Sequence, residues 1–148
     1  MLFSRLRKLL RNRSIAFSPD GAVIAALTRR WVHLWPVAAF ERPQSEPIAT
    51  LAIEGAGFCS SIAYSHDGKQ LAVACNDARV RIYDTAERKL VKTITVHKNA
   101  VSDVAFSPDG TKLATASFDK TFHVSPLDFT ELYEAAKRLQ AATSDENP

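Results

Sequence analysis

"AFSPDG", residues 16–21, returns letter for letter at residues 105–110, and a worn copy, "AYSHDG", stands at residues 63–68. The hexapeptide has the chemistry of a tight reversal. Proline pre-sets φ for the first corner, and glycine supplies a positive φ at the second without steric cost. The middle copy replaces the proline with His66 but keeps the Asp-Gly that makes the turn. A turn written three times implies a structural unit written three times.

The units are found by reading outward. Phe17, Tyr64 and Phe106 lie 47 and 42 residues apart, a period typical of repeat architectures. Without gaps, Leu71 falls on Leu113, Ala72 on Ala114, Cys75 on Ser117, Asp77 on Asp119, Val80 on Phe122 and Ile82 on Val124. The first copy fits with one deletion before Val32, and Ile24, Ala25, Thr28, Leu34 and Trp35 take the corresponding places. Each unit predicts a short strand ending at the aromatic, the turn, a second strand ("AVIAAL", "QLAVAC", "KLATAS") and a further turn. The third strand alternates apolar with polar residues: Val80 and Ile82 against Arg79 and Arg81, Val32 and Leu34 against His33. Fourth strands follow the first two units, at residues 48–53 and 90–96, and Pro126 ends the third unit after its third strand.

These residues resemble the WD-repeat family of β-propellers. The resemblance is carried by the "FSPDG" turns, by an Asp two places after a small residue (Ser117–Asp119, Cys75–Asp77), by "VRIYD" at 80–84 and by "TVHKNAVSDVAF" at 95–106. It implies four-stranded blades set radially about a channel, and a structural network of His, Ser, Asp and an aromatic within a repeat. The residues at those places are His97, Ser117 and Asp119 in unit three, and Cys75, Asp77 and Tyr83 in unit two. Unit one supplies Trp35. Unit two has Gly55 in the His place, unit one has Arg30 in the Asp place, and unit three has Ser125 in the aromatic place.

The expected fold is therefore all-β: a partial propeller of two four-stranded antiparallel blades and a three-stranded third, with a C-terminal α-helix. The blades occupy 12–126, divided at about 12–53, 54–96 and 97–126. A basic segment, 1–11, precedes them, a helix at 127–142 follows, and 143–148 is a disordered tail. The helix pattern rests on Asp128 and Glu131 at capping-box spacing, then Leu132, Ala135, Ala136 and Leu139. This ending also resembles that of WD-repeat arrays in bacterial signal-transduction NTPases. No GxxxxGK[ST] loop accompanies it.

Propellers protect their sheet edges with about 4–8 blades. Three units fall short of that. The chain is expected to be part of a longer protein, to self-associate, or to receive its missing blades from a partner.

Of the 148 residues, 46% are hydrophobic and 24% charged, an ordinary globular balance, with net charge +3. No apolar run approaches a membrane span, and the start lacks the continuous apolar stretch of a secretory signal. Arg5, Arg7, Lys8, Arg11 and Arg13 make that start basic, and Leu2, Leu6, Leu9 and Leu10 would form one helical stripe. Four readings stay open for it: a helix suited to an anionic membrane surface or a partner groove, a disordered start, a strand completing the third blade, or an artefact of where the chain was begun. Cys59 and Cys75 make neither a metal spacing nor a disulfide framework, so a reducing compartment, the cytoplasm, is expected.

No catalytic constellation can be assembled. His33 and His123 are repeat-equivalent strand positions, His66 is a turn residue, and no Ser-His-Asp or Cys-His set has a nucleophile motif around it. Cys75 stands where the third unit has serine, and reads as a small core residue. Neither enzyme activity nor a cofactor or metal is expected. Nucleic acid is disfavoured as a partner, because the aromatics flank turns and form no exposed stacking row, and a membrane is disfavoured because the other readings of the basic start are the stronger ones. The family resemblance implies a binding face built from the loops between strands two and three and between blades. Here that face holds Arg29, Arg30, Asn76, Lys98, Asn99, Asp103, Phe118 and Lys120. Its positive character suits an acidic protein or peptide. The expected function is a non-catalytic protein-interaction scaffold; the alternative is the sensor part of a larger signal-transduction NTPase.

Overall fold

The repeated turns owe their shape to more than proline and glycine. In a computed structural model that describes residues 13–41 and 46–127, each turn is laced by its serine and its aspartate. Ser18 Oγ donates to Asp20 Oδ1 (2.5 Å) and accepts the Val23 N–H (2.9 Å), while the same carboxylate accepts the Ala22 N–H (3.0 Å). Ser65 and Asp67 repeat this arrangement with Gln70 and Lys69, and Ser107 and Asp109 repeat it with Lys112 and Thr111. Gly21, Gly68 and Gly110 sit at φ +70° to +71°, a conformation that costs other residues about 1–2 kcal/mol. The middle turn keeps this geometry with His66 in the proline place, so the serine–aspartate lacing is sufficient to hold it.

Each turn joins the first two strands of its unit, and the described residues hold eleven strands in all: β1 (Ser14–Phe17), β2 (Val23–Leu27), β3 (Trp31–Pro36), β4 (Ala49–Ala52), β5 (Cys59–Tyr64), β6 (Gln70–Cys75), β7 (Val80–Asp84), β8 (Lys89–Ile94), β9 (Val101–Phe106), β10 (Lys112–Ser117) and β11 (Phe122–Pro126). A short 3-10 helix, Val37–Glu41, follows β3. The strands form three antiparallel sheets, β1–β4, β5–β8 and β9–β11, each in sequence order. The ladders repeat in register: Phe17 pairs with Ile24, Tyr64 with Leu71, and Phe106 with Leu113. This is the all-β arc expected from the repeat.

The core lies between sheets. Because strand side chains alternate in direction, each sheet has two faces, and the middle sheet uses both. Toward the first sheet it packs Ile62, Leu71, Val73 and Tyr83 against Leu27, Val32 and Leu34. Toward the third it packs Ala72, Ala74, Val80 and Ile82 with Val101, Val104 and Leu113. A sheet buried on both faces reads as near-continuous apolar runs, and "QLAVAC" is such a run. Leu71 through Cys75 are all buried.

The cysteines depart from the sequence expectation. Cys59 and Cys75 form a disulfide, wholly buried at the junction of the first two blades. Their separation of 16 residues says nothing of pairing; the β5–β6 register, irregular between Cys59 and Ser61, sets them opposite each other. Cys75 is thus a core residue, but it is a bonded one. The unpaired thiols that suggested a reducing compartment do not exist here. The expected basic segment at 1–11, the C-terminal helix beyond residue 127 and the tail lie outside the described residues.

Candidate functional site

In a meander, the loops after strands two and four emerge at the end opposite the turns after strand one. That end carries the loops around Arg29, Gly57, Asp77, Asn99 and Asp119, and backbone bonds tie each loop to its neighbour. The Cys59 N–H donates to Arg29 O (2.7 Å), joining the first blade to the second. The Ile53 N–H donates to Arg30 O (2.9 Å). Asn76 grips the next loop twice: its N–H donates to Phe58 O (2.9 Å) and its Oδ1 accepts the Phe58 N–H (3.0 Å). The grip explains Gly57, where a Cβ would approach the Asn76 amide to 3.1 Å. Arg13 covers the Phe58 ring, its guanidinium carbon 4.5 Å from the centroid, a cation–π contact. In the third blade, Ser117 Oγ donates to Asn99 O and Ala100 O, and the Phe118 N–H donates to Ala100 O.

Beneath the loops, two blades solve one problem with different residues. In blade three, His97 is buried and bridges Asp119 Oδ2 (Nδ1, 2.9 Å) and Thr115 Oγ1 (Nε2, 2.8 Å). The hydroxyls against the imidazole therefore belong to Thr115 and, 3.3 Å from Nδ1, to Thr121, not to Ser117. Asp119 also accepts from the Lys98 and Thr121 N–H groups and from the Thr121 hydroxyl (2.5 Å). These donors, led by that hydroxyl, outweigh burial and hold its carboxyl far below the usual range. The ring of His123 meets that of His97 edge to face, 4.8 Å apart.

In blade two the histidine place is Gly55, and Arg81 fills the vacancy. Its guanidinium lies 3.5 Å from where a Gly55 Cβ would be, and binds Asp77 through both terminal nitrogens (3.1 and 2.6 Å). Arg81 is only 4% exposed. Burial raises the Asp77 pKa, but the Arg81 hydrogen bonds and charge prevail and lower it. Arg81 was legible only as a polar position in an alternating strand. Its role follows from Gly55, which is remote in sequence. Tyr83 and Trp35 are both buried, Tyr83 in the core shared with blade one. Blade one has Arg30 in the Asp place, and its His33 meets the Thr50 hydroxyl (3.1 Å).

The residues named for the face divide in two. Asn76, Asn99 and Asp103 bind within the fold: Asn99 Oδ1 accepts the Ala100 N–H (2.7 Å), and Asp103 accepts from the Ser61 hydroxyl across the junction of blades two and three (2.6 Å). Arg29, Arg30, Lys98, Phe118 and Lys120 are exposed. Lys120 and its repeat equivalent Ala78 both adopt positive φ, +68° and +65°. Arg29 and Arg30 share an open depression of about 440 Å³ with Trp31 and Gly57. Trp31 is exposed there, and the sequence reading did not single it out. A second depression of about 470 Å³ lies at the opposite end, among the turns of Ser65–Lys69 and Pro108–Gly110. Among the described residues no three His, Cys, Asp or Glu side chains are grouped to hold a metal ion. Nor is any helix there long and apolar enough to cross a membrane.

Comparison with known proteins agrees with this architecture. The model of the family "WD domain, G-beta repeat" (WD40) matches residues 45–84 and 88–124, more than half of the chain. The first match runs from the region of β4 to β7 and the second from β8 to β11, so each sequence repeat joins the outer strand of one blade to three strands of the next. Eukaryotic translation initiation factor 3 subunit I of Candida glabrata is 34% identical over 102 residues, covering 66% of this chain and 29% of that protein. The WD repeat-containing protein 55 homolog of Drosophila willistoni is 33% identical over 105 residues, 68% of this chain and 20% of its own length. The transcriptional corepressor LEUNIG_HOMOLOG of Arabidopsis thaliana is 40% identical over 62 residues, 42% of this chain and 8% of its own. The chain thus spans less than a third of the relatives it matches. With its three repeated sheets and these matches, it belongs to the WD40-repeat family.

Proposed function

We propose that the chain acts as a non-catalytic protein-interaction module, and that its partner presents an acidic segment to the loops around Arg29 and Arg30. The observation that carries this reading is the open depression that Arg29, Arg30 and the exposed Trp31 line together with Gly57. Two cations supply attraction and steering toward carboxylates. The indole supplies a rigid apolar anchor of the kind that dominates binding energy at interfaces. The rim is preorganised, since Arg29 and Arg30 carbonyls are both fixed by backbone bonds to the neighbouring strands, so little ordering is needed on binding. Lys98 and Lys120 extend the positive character across the third blade.

The test is fluorescence anisotropy with a labelled octaglutamate peptide, with labelled single-stranded DNA and RNA as separate arms. Octaglutamate should bind at low salt and weaken as salt rises. The double variant R29E/R30E should abolish that binding, and K98E/K120E should weaken it. Equal octaglutamate binding by R29E/R30E overturns the acidic-partner reading, and tighter binding to either nucleic acid moves the function to another class.

A further inference from the structure

Blade three holds, at the place of the Cys59–Cys75 bond, a different closure of the same two loops. Val101 faces Ser117 in the β9–β10 ladder as Cys59 faces Cys75 in the β5–β6 ladder. Ser117 Oγ donates to Asn99 O (3.0 Å) and Ala100 O (2.9 Å), and the Phe118 N–H donates to Ala100 O (3.0 Å). Together these bonds latch the loop that enters the blade to the turn after its second strand. Blade two keeps the backbone part of the latch, the Asn76 N–H to Phe58 O (2.9 Å). A sulfur–sulfur bond stands where the serine hydroxyl would act. In one blade the latch is polar and indifferent to reductants; in the other it is a two-electron bond.

The latched loop, residues 54–58, is also a wall of the depression at Arg29, Arg30 and Trp31. Gly57 lines that depression, and the Cys59 N–H holds Arg29 O (2.7 Å). Cys59 opens β5 and Cys75 ends β6, so packed strands lie on one side of the pair and loops on the other. Both cysteines are wholly buried in the core shared by blades one and two. Two thiols stand farther apart than two bonded sulfurs, and a close-packed core transmits that displacement. The loops are the side that can give way.

We propose that Cys59 and Cys75 form a redox latch that fixes this wall of the depression, so that reduction loosens the wall and weakens binding there. The effect on the wall stands on geometry alone; the effect on binding rests on the acidic-partner reading. A dithiol attacks one sulfur, passes through a mixed disulfide and leaves as a cyclic disulfide, delivering two electrons and two protons. The S–S bond becomes two thiols. Neither rebuilds the closure seen in blade three, because a thiol is a weak donor where Ser117 offers a hydroxyl. Since both sulfurs are buried, the exchange proceeds only while the loop is open. Coupling is reciprocal: a ligand held at the depression favours the disulfide by the factor by which the disulfide favours the ligand.

The experiment compares the oxidised full chain with the chain reduced by dithiothreitol, using NMR and the octaglutamate anisotropy assay. A double variant, Cys59→Val/Cys75→Ser, copies the Val101–Ser117 pair and serves beside them. On reduction, the residue 59 and residue 76 amides should exchange about tenfold faster relative to the Phe118 amide. Phe118 reports the same latch in blade three, so the ratio cancels a general loss of stability. The Trp31 indole N–H resonance, assigned by its loss in Trp31→Phe, should move, and octaglutamate should bind about tenfold more weakly. The double variant should keep the protection of the oxidised protein and ignore dithiothreitol. An unchanged exchange ratio, or a double variant that responds to dithiothreitol as the wild type does, overturns the latch. An unmoved Trp31 resonance, or equal octaglutamate binding by both forms, overturns its reach to the depression. If octaglutamate binds neither form while the amides and the indole respond, the acidic-partner reading fails and the latch stands.

Discussion

Removing Asp77 should expose how far blade two depends on the pair that replaces its missing histidine. The Arg81 side chain is 5% exposed and that of Asp77 20%. Truncating Asp77 to Ala leaves a guanidinium buried over Gly55 with both of its charged bonds gone. Breaking a buried pair from one side costs about 3–5 kcal/mol, and the residual exposure of Asp77 admits some water, so the expected loss is about 3 kcal/mol. At about 2–4 °C per kcal/mol for a domain of this size, Tm should fall by about 6–12 °C. Arg81→Met fills the same space without charge, so Asp77→Ala/Arg81→Met should recover part of the loss, with a coupling of about 1–2 kcal/mol. Arg81→Lys alone should also destabilise, because an ammonium cannot make the two-pronged contact with Asp77. Equilibrium urea unfolding would measure all four variants; an unchanged m shows that stability alone moved. An Asp77→Ala loss below about 1 kcal/mol, or a double variant equal to the sum of its parts, would refute the argument that Arg81 needs this partner.

Other consequences can be checked in the same preparation. Reducing the Cys59–Cys75 bond should cost about 3 kcal/mol, the chain-entropy value for a loop of roughly this length, and iodoacetamide should label neither sulfur before reduction; labelling of the untreated folded protein would contradict the pairing. Ala78→Gly should stabilise by about 0.5–1 kcal/mol, because φ +65° is costly for alanine and free for glycine; a loss on thermal melting would show that the Ala78 side chain matters more than its backbone. The turn carboxylates should titrate low by NMR. The Ser107 hydroxyl foremost, then the Thr111 N–H and hydroxyl, hold Asp109 at about 2, and Asp20 and Asp67 are lowered by the same serine contact. A depressed folded value means that the turns contribute stability above the unfolded carboxylate value and lose it as pH falls through the folded one. Ser107→Ala should raise the Asp109 value; an unchanged titration would deny the serine that role.

Much of this protein was legible before its tertiary structure. Turn residues and alternation are local, so the repeated "FSPDG", the period-two patterns and the three-unit alignment placed eleven strands in order and in register. The apolar run of "QLAVAC" read only as a second strand; its burial on both faces came with the packing of the sheets. What lay hidden were contacts between residues distant in sequence within a unit. Thr115 reads as an ordinary strand threonine until the β9–β10 ladder sets it against His97. Arg81 looks like the polar half of an alternation until Gly55 leaves room above it.

By itself, then, the sequence determined the blades: each depends on short-range chemistry repeated faithfully, and a β-strand advertises its two faces by alternation. Tertiary structure decided how the blades are joined. It paired Cys59 with Cys75, exchanged an imidazole for a guanidinium in blade two, brought Gly57 of the second blade to Arg29, Arg30 and Trp31, and left Phe122 and Ile15 exposed. Those outcomes depend on register and on which face meets which neighbour, and neither can be read from a local run of residues.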